Sequence, residues 1–345
     1  VTAVSLDERK NKVLQAIIED YVATAEPVGS RTISRKYNLG VSPATIRNEM
    51  SDLEELGYLE QPHTSAGRIP SDRGYRYYVD CLMESHDIQP SEEDLIRRAF
   101  ERKAREIDTL VRETARLLSD TTHLTTVISG PQISKAHFRE LRLVPLGGDK
   151  AVLVYITDSG FVENQVLEMP VEVTMLELQR VSELLNDQLR GQPVEALSRA
   201  AVRALQQELH RYGALLEQTL QFLGTSLEPG DKHRLYLGGT THMLNQPEFR
   251  DVDKVRNLLT LLEDENRISE VLVTADGSNR PEIQIGEEIK VRELADCSVV
   301  SATYRLGGDV IGRVGVIGPK RMEYARVVGL VNSVTKHLGD AGQRK

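Results

Sequence analysis

Along the first eighty positions apolar residues recur at helical intervals, broken by turns that carry Pro or Gly. Ser5 followed by Glu8 has the spacing of a capping box, and Val13, Leu14, Ile17, Ile18 and Tyr21 then form the apolar face of a first helix. Pro27 and Gly29 end it. A second, shorter helix is predicted from after Ser30 to about Tyr37, followed by a turn at Asn38-Leu39-Gly40, where Gly accepts the positive φ of a chain reversal. Ser42 caps a third helix, with Pro43 at its first position, where no backbone donor is lost. At about 100° per residue, Ile46, Met50 and Leu53 of that helix fall together and point inward. Ala44, Asn48, Ser51 and Glu55 lie opposite, flanked by Thr45 and Arg47. After Gly57 the pattern alternates over 58–61, and the polar turn PHTSAG leads back through Arg68-Ile69-Pro70, as in a hairpin. Three helices and a hairpin make a winged helix-turn-helix.

Beyond it, SDRGYRYYVDCLM reads as a short linker helix, with Tyr75 and Tyr78 able to pack back on the wing. Residues 92–119 read as one long amphipathic helix, with Ile96, Phe100, Ile107, Leu110 and Leu118 on or near one face. From about 138 the period becomes that of strands. Leu141, Leu143 and Val144, then AVLVYIT, then FVENQVLEM, separated by Gly147-Gly148-Asp149 and DSG, predict a three-stranded antiparallel meander. SVVSATYR and VIGRVGVIG predict a further hairpin, and a last helix covers 321–338. The tetrapeptide LGGD at 146–149 and 306–309 is a hairpin turn in both places, since neither copy has the Lys and Ser/Thr of a phosphate loop. Meander and hairpin together predict one sheet interrupted by an insertion. The expected fold is α+β and multidomain: a winged-helix DNA-binding domain at 1–80, an α+β domain at 81–190 and 267–345, and an inserted domain at 191–266. The insertion holds a helix around 196–223, the segment HRLYLGG and a helix over 252–264.

Composition changes this picture little. A chain of 345 residues with 40% hydrophobic and 28% charged positions is ordinary for a soluble protein. No run approaches the ~18 apolar residues of a membrane span, and the charged start VTAVSLDERKNK leads into no apolar signal core. Cys81 and Cys297 are the only thiols, too few for a disulfide framework or a cysteine zinc cluster. A cytoplasmic protein without membrane contact is expected. The eight histidines show no HExxH and no acid–His–nucleophile order, so no catalytic residue, metal ligand or cofactor is assigned and no enzyme is expected.

Charge matters more. The net charge of −9 argues against a polyanionic partner, but its distribution argues for one. Segment 28–50 is +3 and 61–78 is +2, with −4 confined to 51–60 between them. A helix entering a major groove N-terminus first needs this gradient. Small residues let the backbone approach, Arg47 and Asn48 can pair with base edges, and the carboxylates stay clear of phosphates. The candidate DNA contacts are therefore Arg31, Ser42, Ala44, Thr45, Arg47, Asn48 and Ser51, with His63, Thr64, Ser65 and Arg68 in the wing. Arg68 is expected along neighbouring phosphates or in the minor groove. A solvated polar face explains Asn48 and Ser51 equally well, and winged helices also serve as protein-interaction modules. The absence of acid where phosphates would sit favours DNA.

The runs EPVGSRTIS (26–34), VSPATIRNEMSDLEELGYLEQPHTSAGRIPSDRGYRYYVD (41–80) and IGPKRMEY (317–324) resemble the HrcA family, the heat-inducible transcription repressors of bacteria. The match covers both ends and the order of elements between, while 190–265 agrees in pattern more than in motif. The resemblance implies a homodimeric repressor on an inverted-repeat operator upstream of chaperone genes, kept competent by the GroE chaperonin. It also implies a GAF-like domain that holds an inserted dimerisation domain. Leu205, Leu209, Leu216 and Leu220 are the apolar positions of that insertion available as a dimer surface. Because GAF-like sheets can bind small molecules, the alternative is a small-molecule-sensing transcriptional regulator.

Overall fold

The chain is described by a computed structural model over residues 6–63, 66–84, 88–102, 107–130, 136–147, 150–158, 162–168, 174–193, 235–272, 280–306 and 310–343. Its first helix, α1 (Glu8–Thr24), starts at Glu8 because the Asp7 side chain accepts the Lys10 N–H at 2.8 Å. Asp7, not Ser5, is therefore the cap seen. The capping-box spacing placed Glu8 in the third helical position, whereas it occupies the first; Ser5 lies outside the described residues. α2 (Ser30–Lys36) and α3 (Pro43–Glu55) follow. Between them Gly40 takes φ +69°, the turn its sequence predicts. Val13, Leu14, Ile17 and Ile18 of α1 meet Ile33, Ile46, Met50 and Leu53, all buried in one core. Strands β1 (Leu59–Glu60) and β2 (Ile69–Pro70) form the wing, in the register Leu59↔Pro70. α4 (Asp72–Tyr77) and a π turn at Tyr78–Leu82 then lead away, with Tyr75 buried.

The stretch expected as one helix over 92–119 is two, α5 (Pro90–Arg102) and α6 (Ile107–Thr122). Ile96, Phe100, Leu110 and Leu118 are buried, as their spacing requires; the side chain of Ile107 lies outside those described. β3 (Thr125–Ser129) follows, then β4 (Phe138–Gly147), β5 (Lys150–Thr157), β6 (Val162–Glu168) and α7 (Met175–Leu189). The rest comprises β7 (Leu235–Gly238), α8 (Val252–Glu263), α9 (Glu265–Val271), β8 (Glu282–Ile285), β9 (Cys297–Leu306), β10 (Val310–Pro319) and α10 (Tyr324–Gln343). Five of these strands make one antiparallel sheet in the order β7-β3-β10-β9-β8. Its period-two alternation buries both faces. Ile128, Val300, Val314 and Val316 point to the core shared with α5, α6 and α10, while Val127, Val299 and Ile317 point to α8 and α9.

The meander β4-β5-β6 is real but lies in the wrong place for the predicted single sheet. It is a separate three-stranded sheet, packed on α7 through Leu141, Leu143, Leu153, Leu178, Val181 and Leu185. Alternation says that a strand has one buried face and not which strand it pairs with, so this could not be read. The chain leaves the five-stranded sheet at Ser129 and re-enters it at Leu235, and these two residues are paired partners. The interruption therefore falls between them, not at 191–266. HRLYLGG supplies β7 and the 252–264 helix is α8, both part of the five-stranded unit. The expected helix over 196–223, with Leu205, Leu209, Leu216 and Leu220, lies outside the described residues. No described helix is long and apolar enough to cross a membrane.

Candidate nucleic-acid interface

Helix α3 is built as its sequence dictates. Ser42 Oγ accepts the Thr45 N–H at 3.1 Å and lies 2.9 Å from Thr45 Oγ1, so both hydroxyls are engaged at the helix N-terminus. Ile46, Met50 and Leu53 fix the inner face, which leaves Ala44, Arg47, Asn48 and Ser51 exposed along the outer one, with Thr45 half-buried. Arg31 is exposed on α2, as is Arg35, a cation that no motif singled out. Among the described residues Arg31, Arg35 and Arg47 have no ion-pair partner, so their charge is available to a ligand.

Three of the four carboxylates of α3 are paired within the domain, while Glu55, at its C-terminal end, stays exposed with no ion-pair partner among the described residues. Glu49 takes Lys10 at 2.8 Å and Arg9 at 3.6 Å, and Asp52 takes Lys10 at 3.0 Å. The hydrogen bonds that the Lys10 ammonium donates to Glu49, then Asp52, hold it charged well beyond the usual lysine range. Lys10 thus ties the N-terminus of α1 to the middle of α3 and cancels carboxylates that would otherwise repel phosphate. Glu54 is cancelled by Arg68, whose Nε donates to it at 2.8 Å. The Glu49 and Glu54 pairs join residues distant in sequence, which spacing along the chain does not reveal.

That contact changes the part Arg68 can play. Its guanidinium points back to α3 instead of outward, and its main chain exchanges two hydrogen bonds of 2.9 Å with Val28, the residue leading into α2. Gly67 makes this approach possible, since a Cβ there would sit 2.3 Å from the Val28 carbonyl oxygen. Gln61 Nε2 donates to the Ala66 carbonyl at 3.1 Å and closes the wing base from its other side. At the tip His63 is exposed, while Thr64 and Ser65 lie outside the described residues. The structure therefore gathers Arg31, Ala44, Arg47, Asn48 and Ser51 on the exposed surface of α2 and α3, His63 on the wing, and Arg68 beneath it.

Among the described residues no group of three or more His, Cys, Asp or Glu side chains is placed to hold a metal ion. Burial pushes the Cys297 thiol up to about 12, which keeps it protonated and unreactive at neutral pH.

Known proteins resemble this chain along nearly its whole length. Residues 108–328 match the family described as HrcA protein C terminal domain. The heat-inducible transcription repressor HrcA of Symbiobacterium thermophilum is 70% identical over 335 residues, covering 97% of this chain and 98% of that protein. The protein of the same name from Pelotomaculum thermopropionicum is 46% identical, covering 98% and 97%. A crystal structure described as that of a hypothetical protein at 2.2 Å resolution shares the fold, with a TM-score of 0.66 at 24% identity and coverage of 98% and 99%.

Proposed function

The chain belongs to the HrcA family, and from that premise we propose that it is a transcriptional repressor that reads operator DNA with the exposed face of α3. The observation that carries the reading is that face itself. Ala44, Arg47, Asn48 and Ser51 are exposed on the reading helix, Arg31 is exposed beside it, and the acid at Glu49, Asp52 and Glu54 is tied up within the domain. Arg47 and Asn48 carry the donors and acceptors that pair with purine edges in a major groove. Arg31, the helix N-terminus with Ser42 and Thr45, and the wing residues His63, Thr64 and Ser65 position the domain on the phosphates. Arg68 serves by holding the wing against α3.

One winged helix is a small module, so useful affinity and a fixed site length call for two. We infer a homodimer on an inverted repeat, assembled through the inserted unit between Ser129 and Leu235. In support, the face of β4-β5-β6 turned away from α7 exposes Val144, Val162 and Val166, with Val152, Val154 and Ile156 half-buried between them. Leu205, Leu209, Leu216 and Leu220 of the same inserted unit are proposed to take part in the dimer contact. The protein works in the cytoplasm, represses chaperone genes and depends on the GroE chaperonin to stay competent, as the family resemblance implies. The test is a footprint on the protein's own genomic DNA, with and without chaperonin. Protection of an inverted repeat next to a chaperone gene, strengthened by chaperonin, is expected. Protection that ignores sequence would overturn the reading.

A further inference from the structure

The stretch IGPKRMEY, singled out by sequence near the C-terminal end, has no place in the DNA interface. The structure sets it against the winged-helix domain. Lys320 Nζ lies 2.5 Å from Asp72 Oδ1, at the start of α4. Arg321 donates through Nη1 to the Val22 carbonyl in the last turn of α1, at 3.2 Å. The rest of its guanidinium is held by Glu248 at 2.5 Å and by Gln246 Oε1 at 2.9 Å, both in the five-stranded unit. The Tyr324 ring meets that of Tyr75 with centroids 6.0 Å apart. A parallel link runs from Arg76 of α4 to the Glu288 carboxylate and, at 2.6 Å, to the Ile283 carbonyl. Gly286 is needed at this seam, because a Cβ there would lie 2.0 Å from Asp72 Oδ2.

These contacts flank a polar cleft of ≈660 Å3 between the two units. The most enclosed of them is the ring contact of Tyr75 with Tyr324, and around it directional donors grip main-chain carbonyls and a helix start. A solvent-exposed ion pair stabilises little, but a fan of donors fixed at several points sets an angle well. We propose that Lys320 and Arg321 are positioning residues that fix the orientation of α3 relative to the five-stranded unit, and so set which spacing between half-sites a dimer accepts. Neither residue touches DNA in this account. They act through Asp72 and α1, and the proposal rests on the dimeric reading above.

The test measures binding of the full chain to single half-sites and to inverted repeats whose spacer varies in single base pairs, for wild type, Arg321→Met and Asp72→Asn. Methionine keeps the apolar stem of Arg321, and asparagine keeps an acceptor for the Glu287 N–H that Asp72 also holds, at 3.3 Å. Wild type is expected to favour one spacer at least tenfold over its neighbours. Each variant should keep half-site affinity within twofold while that preference falls below about threefold. Distances measured between spin labels on α3 and β9 should broaden in the variants, a readout that needs no DNA. Variants with the wild-type spacer preference and label distances would overturn the positioning role while leaving the repressor reading intact. Wild type that shows no preference for a repeat would instead sink the dimeric reading beneath it.

Discussion

At the scale of single residues, three side chains bear different parts of the account. Arg47 is exposed and unpaired among the described residues, on the half of α3 that a groove would receive. Arg47→Ala should cost about 1–3 kcal/mol in operator binding and relax preference at one base position per half-site; titrations against a panel of single-base operator variants check this. Arg68 looks in sequence like a second free cation, and the alternation of the wing could not reveal that Glu54, fourteen residues earlier, claims it. If it holds the wing, Glu54→Gln should weaken binding about as much as Arg68→Ala, and both should leave the salt slope unchanged. A phosphate contact predicts the reverse: stronger binding for Glu54→Gln, and for Arg68→Ala a slope of log K against log salt shallower by about one unit. Cys297 supplies a pH test. Burial raises its thiol from an ordinary 9.0 to about 12, so the unfolded chain releases that proton first as pH rises. The stabilisation is complete below pH 9.0 and is lost as pH climbs towards about 12. Denaturation of Cys297→Ala across that range should show a shallower loss of stability than wild type.

At the scale of elements, legibility followed how local each cause is. Ser42-Pro43 fixes the start of α3 from adjacent residues, and the inward set Ile46, Met50 and Leu53 follows from period alone; both stand as expected. Asp7 displaces Ser5 as the α1 cap because its carboxylate reaches Lys10 N–H, a choice between neighbours that spacing cannot make. What was not legible depends on partners far along the chain. The Lys10 clamp on Glu49, the division of the strands into two sheets, and the contact of Lys320 with Asp72 each join distant segments. Gly67 shows the same limit. In sequence it is one more turn residue, whereas in the fold it is the point where the wing passes against Val28. Gly67→Ala should therefore destabilise the domain by about 1–3 kcal/mol through overpacking, seen as a lower denaturant midpoint with an unchanged slope.

At the scale of the whole molecule, the chain comprises a winged-helix domain, a five-stranded body and an inserted unit. Pairing of Ser129 with Leu235 means that the insertion can be cut out and its ends joined by a two-residue turn of the Asn-Gly kind. The excised chain should fold as a monomer that binds half-sites weakly, as light scattering and gel-shift titration would report; a dimer that still binds the full repeat tightly would move the seam into the body. The central claim, that two copies of α3 read an inverted repeat, is tested most directly by selecting bound sequences from random duplex DNA with the full chain and with Arg47→Ala side by side. Wild type is expected to enrich two half-sites in inverted order, and the variant to enrich the same repeat with one position per half-site no longer specified. Enrichment of no motif by wild type, or of an identical motif by both proteins, would contradict it.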